Sequence, residues 1–148
     1  MKKLHTAIIG CGNRCRIYQG AFEAVDHAEV TMLCDTQIEH ARNHQDNFPQ
    51  ARVTADLQDV LEDSEVDAVV IATPDKTHCQ IAAQAIKAGK HILVEKPLAL
   101  NVEEAVTLLK MSTGKDLVLQ LAFTLRASPF YHTIHTLVKD GVIGQISG

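Results

Sequence analysis

Short apolar runs recur along the chain and alternate with stretches whose apolar residues fall at helical spacing. Lys3 to Ile9 and Ala28 to Cys34 read as strands, and Ala51 to Thr54 as a shorter one. Asp67 to Ala72 is almost continuously apolar and β-branched, the pattern of a parallel strand buried on both faces. His91 to Glu95 and Leu117 to Leu125 extend the series, the latter being long enough to cross a sheet.

The intervening segments read as helices. Asn13 to Ala24 carries Ile17, Ala21, Phe22 and Val25 as its expected buried face, and Thr36 to about Asn47 places Ile38 and Ala41 inward before Pro49 ends it. In "DLQDVLED", Leu57, Val60 and Leu61 share a face behind a capping Asp56. Cys79 to Ala88 ends at Gly89, and Asn101 with Glu104 forms a capping box for a helix reaching about Ser112. Ser128 or a neighbour opens a last helix through Lys139, after which "VIGQI" resembles the opening of another strand. Strand and helix in alternation at this spacing predict an α/β fold: a Rossmann-type doubly wound parallel sheet with helices on both faces.

Composition narrows the function classes. A chain of 148 residues with 46% hydrophobic content can bury one substantial core and is not a disordered tail. A formal net charge of -4 supplies no basic field for a phosphate backbone, which argues against nucleic acid as a partner. The apolar runs are too short to span a bilayer, and "MKKLHTAIIG" lacks a small-residue cleavage site. Cysteines 11, 15, 34 and 79 form no disulfide framework, so a reducing, cytoplasmic setting is expected, with no membrane partner.

The segment "AIIGCGNRC" holds the first candidate chemistry. Gly10 would allow a tight exit from the first strand and Gly12 a close approach of backbone N–H groups to a pyrophosphate. The third glycine of such a turn is replaced by Cys15, a small residue that buries readily and is expected to fill the same packing role. Asp35, roughly 20 residues on at the end of the second strand, stands where a carboxylate accepts hydrogen bonds from the adenosine ribose. With no cation at Thr36 or Gln37, this acid predicts NAD as cofactor in preference to NADP. Asn13 can donate to phosphate or cap the helix, and Arg14 or Arg16 can reach the pyrophosphate or lie in solvent.

Other chemistry is poorly supported. His132 and His135 lack further metal ligands, the cysteines are not spaced as a C-x-x-C pair, and no serine sits in a nucleophile elbow. No metal site is expected.

With "GCGNRC", "ATPDKTH", "VEKPLAL", "LAFTLRASPFY" and "VKDGVIGQI" in order, the chain resembles the oxidoreductase family named after glucose-fructose oxidoreductase, inositol 2-dehydrogenase and a rhizopine-catabolism protein. The resemblance implies a dinucleotide-binding domain over residues 1–125. Residues 126–148 would form a last helix and the link to a C-terminal α/β substrate domain. It also implies hydride transfer between a nicotinamide cofactor and a hydroxyl or carbonyl of a sugar, polyol or related compound, in a full protein that forms homo-oligomers. Lys96 corresponds to the family's active-site lysine, Thr73, Pro74 and His78 to a segment lining the cofactor, and Glu95 to another position in that pocket. Arg126 and Pro129 match an "R-F-x-P" segment on the substrate side, with Ala127 in place of the usual aromatic. The family's general acid or base is commonly a histidine of the second domain, so the 148 residues alone are expected to turn over little. A non-catalytic nucleotide-binding module and part of an NAD-dependent glycosidase are the alternatives.

Overall fold

A computed structural model describes residues 3–145. Six strands, β1 (Leu4–Ile9), β2 (Ala28–Cys34), β3 (Arg52–Thr54), β4 (Ala68–Ile71), β5 (His91–Val94) and β6 (Leu119–Leu121), form one sheet in the order β3-β2-β1-β4-β5-β6. Every neighbouring pair is parallel. The helices are α1 (Cys15–Glu23), α2 (Ile38–Arg42), α3 (Leu57–Glu62), α4 (His78–Lys87), α5 (Val102–Ser112) and α6 (Pro129–Lys139).

Alternation along the strands divides the core into two layers. Ala7, Ile9, Val69, Ile71, Ile92 and Val94 meet α3, α4 and α5 through Val60, Ala82, Ile86 and Leu108. Ile8, Val30, Leu33 and Val70 point the other way, to Cys15 and Tyr18 of α1 and Ala41 of α2. All four residues of β4 are buried, as its continuous apolar sequence requires of a central strand. Fully burying a side chain such as Val69 or Ile71 contributes roughly 1.5–3 kcal/mol. Helices leave β1 and β4 toward opposite faces, and a parallel sheet opens a crevice between such neighbouring strand ends.

Two caps fall where the sequence places them: Asp56 accepts from Gln58 N at 2.8 Å, and Asn101 Oδ1 from Glu104 N at 2.8 Å. Three expectations change. The inward face of α1 is Cys15 and Tyr18 with Phe22 behind them, whereas Ile17 is 59% exposed and Ala21 and Val25 also face outward. The helix starts at Cys15, and wedging that residue against the sheet sets the rotation of the whole element. The segment 36–47 divides into the short α2 and a 3₁₀ turn at Gln45–Asn47.

β6 pairs with β5 over three residues only, because Phe123 N turns back to Leu121 O and a 3₁₀ turn follows at Thr124–Ala127. Ser128 precedes α6 without a side-chain cap, and Pro129 takes the first helical position. Phe130, Ile134 and Leu137 then form an exposed apolar stripe along α6. Residues 141–143 form a turn and Ile146, in the expected further strand, lies outside the described residues. Among the described residues no helix is long and apolar enough to cross a membrane.

Candidate functional site

The carboxyl ends of β1, β4 and β5 lie side by side, and the loops leaving them carry most of the singled-out residues. Gly10 has φ 94°, and a Cβ there would lie 2.6 Å from Thr73 N. Glycine is thus required both by the backbone conformation and by contact with the loop after β4. At Gly12 a Cβ would meet nothing within 4 Å, because this residue borders a cavity of about 530 Å³. The N–H groups of Gly12, Asn13 and Arg14 make no hydrogen bond among the described residues. Unspent donors beside an open approach at the start of a helix fit the pyrophosphate of a dinucleotide.

Cys15 is completely buried and fills the place of the third glycine from within the core. Its neighbour Cys11 is 2% exposed, and a hydrogen bond with Cys15, reinforced by burial, pushes the Cys11 thiol upward. Burial, with the nearby Asp35 charge, raises Cys34 to about 12. Among the described residues no cluster of three His, Cys, Asp or Glu side chains is arranged to hold a metal ion.

On the β2 side the cavity is lined by Asp35, Thr36, Gln37 and His40, and on the β4 side by Thr73, Pro74 and Thr77. Asp35 Oδ2 accepts from Cys11 N and Oδ1 from Gln37 N, both at 2.9 Å. Thr77 Oγ1 donates to Pro74 O at 2.7 Å and lies 2.8 Å from Thr73 Oγ1.

A second cavity of about 360 Å³ is lined by Arg14, Glu95, Lys96, Phe123, Thr124 and Arg126, among others. Arg14 borders both cavities and so stands between them. The Lys96 ammonium has no ion-pair or hydrogen-bond partner among the described residues, and the Arg126 guanidinium lies 5.2 Å from the centre of the Phe123 ring. Tyr18, not anticipated from sequence, donates its hydroxyl to Glu95 Oε1 at 3.0 Å. Burial first, and the Glu95 charge second, push this phenol well above its ordinary value.

His78 lines neither cavity. It is 1% exposed, with Nδ1 2.7 Å from Pro97 O and Nε2 2.8 Å from Thr73 O. A neutral ring donates to one of these carbonyls and a doubly protonated ring to both. The ring stands between the loop after β4 and the loop that carries Lys96, within hydrogen-bond distance of a carbonyl of each. Thr77 and His40 were likewise not singled out by sequence, although Thr77 lies within "ATPDKTH" and His40 five residues after Asp35, and Gln37 had been weighed only for its lack of charge.

The family model for the oxidoreductase family with an NAD-binding Rossmann fold matches residues 4–123. Inositol 2-dehydrogenase of Rhodococcus jostii is 35% identical over 126 residues, covering 84% of this chain and 34% of that protein. The scyllo-inositol 2-dehydrogenase (NADP(+)) IolW of Bacillus subtilis is 25% identical, over 97% of this chain and 40% of its own length. The crystal structure of KijD10, a 3-ketoreductase from Actinomadura kijaniata in complex with NADP, superimposes with a TM-score of 0.89 at 29% identity, covering 98% of this chain and 46% of KijD10. The chain spans less than half the length of each of these relatives.

The NADP in KijD10 and the name of IolW overturn the expectation that Asp35 selects NAD. The expectation considered only Thr36 and Gln37 beside this acid, whereas His40, a residue able to carry positive charge, stands with Nδ1 3.3 Å from Asp35 Oδ1, and the two carboxylate oxygens each accept one backbone N–H, from Cys11 and Gln37. On its sheet, its glycine turn and the match over residues 4–123, the chain belongs to the Gfo/Idh/MocA oxidoreductase family, as its N-terminal NAD-binding domain.

Proposed function

We propose that this chain is the dinucleotide-holding part of an oxidoreductase that transfers hydride between a nicotinamide cofactor and a hydroxyl or carbonyl of a sugar or polyol-like compound. The observation that carries the reading is the adjacency of the two cavities: Gly12, Asn13 and Thr73 border one, Lys96 borders the other, and Arg14 joins them. The inositol dehydrogenases among the relatives support the substrate class. Residues 1–125 form the cofactor domain in this reading, and residues 126–148 lead toward a substrate domain. The exposed stripe of Phe130, Ile134 and Leu137 on α6 supports that division.

When bound, the dinucleotide supplies the hydride donor or acceptor. Gly10 and Gly12 let the backbone approach its phosphates, with Asn13 and Arg14 adding donors. Asp35 holds the turn in shape, and Thr73 and Pro74 form the opposite wall. Lys96 presents an ammonium at a strand end, where it stabilises alkoxide-like charge on the substrate oxygen or polarises a carbonyl in the reverse direction. Glu95, fixed by Tyr18, flanks that lysine, and Arg126 closes the substrate side.

Two measurements test this reading. The chain should bind NAD or NADP saturably in titration. In the full-length protein, screening of sugars and polyols by cofactor reduction should find a substrate for which Lys96→Ala lowers kcat/KM by roughly 100-fold or more. Undiminished turnover in that variant would remove Lys96 from its role.

A further inference from the structure

We propose that the outward face of α5 is a self-association surface, on which a second copy of this chain packs its own α5 antiparallel. The inference does not depend on the dinucleotide reading and uses no residue that lines either cavity of the site.

α5 is apolar on two faces. Leu108 is completely buried, and Met111 packs beside it on the core. On the other side Val102, Val106 and Leu109 are 72%, 40% and 55% exposed. They are separated by four and then three residues, the spacing that keeps a continuous seam along a helix and that two helices share when they pack side by side. Outward positions of a surface helix are ordinarily polar, and an apolar stripe in their place marks an interaction surface.

The charges beside the seam indicate what covers it. Glu103 and Lys110 border the same side of the seam, both exposed and neither with an ion-pair partner among the described residues. Seven residues set them about 10 Å apart along the axis, too far to pair with each other. The opposite border is Ala105 and Ser112, which carry no charge.

In an antiparallel helix pair like borders face one another, so Glu103 meets the partner's Lys110 and Lys110 meets the partner's Glu103. In a parallel pair each charge would face the uncharged border instead. The seam and its charges are therefore self-complementary about a twofold axis near Val106 and Thr107. With 11 residues α5 is about 16 Å long, so the contact falls short of the roughly 1,200 Å² at which stable interfaces begin. The association is weak and reversible.

The experiment is sedimentation equilibrium of the chain from about 10 μM to about 1 mM in about 50 mM salt, where charge pairs are little screened. A monomer–dimer equilibrium is expected, and Val106→Glu should raise its Kd at least about tenfold by burying an unpaired charge. Glu103→Lys alone and Lys110→Glu alone should each raise Kd by about tenfold, because two attractive pairs become two repulsive ones. The double variant Glu103→Lys/Lys110→Glu should return to the wild-type Kd, and an equimolar mixture of the two single variants should associate as the wild type does. Unchanged thermal unfolding establishes that the variants are folded, and the exposed charge exchanges decide the matter if Val106→Glu is not. A chain that stays monomeric throughout leaves the stripe to some other partner and overturns the proposal. So does a dimer that Ile134→Glu abolishes and Val106→Glu leaves intact, which would assign the contact to α6, and so does a double variant that associates no better than the single ones.

Discussion

The hydroxyl of Tyr18, on the inward face of α1, donates to Glu95 Oε1 at 3.0 Å across 77 residues of sequence. The bond ties the helix that follows the glycine turn to the residue preceding Lys96, and so couples the two cavities through the core.

Tyr18→Phe keeps the ring and removes the donor, leaving a half-buried carboxylate unpaired. The unfolding free energy should fall by about 1.5–3 kcal/mol, the usual range for a hydrogen bond to a charged group. Urea denaturation measures this as a lower midpoint at constant slope. An unchanged midpoint would mean that water serves Glu95 equally well.

Gly10 and Gly12 should separate folding from binding. Gly10→Ala forces a Cβ into a positive-φ residue against Thr73 N, so a loss of about 2–4 kcal/mol in stability is expected. Gly12→Ala meets open space and should change stability by less than about 0.5 kcal/mol. Its methyl group instead projects where a pyrophosphate would approach, and dinucleotide Kd should rise about tenfold or more. Equal effects of the two variants on thermal unfolding would contradict this division.

Much of the frame was legible because buried parallel strands need continuous apolar sequence, as at Ala68–Ile71, and because Asp56 and Asn101 have the chemistry of caps. The rotation of α1 was not legible. Tyrosine and cysteine are ambiguous between core and surface, and the stronger hydrophobes Ile17 and Val25 drew the expected face away from Tyr18. The length of β6 was overestimated for a related reason: Leu117, Leu119 and Leu121 are only partly buried, Val118, Phe123 and Leu125 are exposed, and hydropathy does not register the reversal at Phe123. In the site, residue types announced the glycine turn and the lysine before proline, but not the directions of side chains. Asp35 was read as selecting NAD, which the NADP of the relatives contradicts; its bonds to Cys11 N and Gln37 N and the His40 ring beside it depend on geometry that residue type does not carry. His78 bridges two carbonyls that lie 5 and 19 residues away in opposite directions, a relationship no local pattern encodes.

Alkaline pH should weaken the fold through Cys34. Its pKa is raised from 9.0 to about 12 by burial and by Asp35, so the folded chain holds this proton more tightly than the unfolded chain. The contribution is fully present below pH 9 and is lost as pH rises toward about 12. Unfolding free energy measured in urea should therefore decline across that window, and Cys34→Ala should decline less steeply. Parallel profiles for the two proteins would exclude Cys34 as a source of the slope.

The placement of His78 has a thermodynamic consequence. Thr73 touches Gly10 on one side and is packed through His78 against Pro97 on the other, so the ends of three neighbouring strands are joined in one rim. The conformational entropy of ordering that rim is given up when the chain folds. A ligand arriving later meets loops that have little freedom left to lose, and more of its contact energy is retained as affinity.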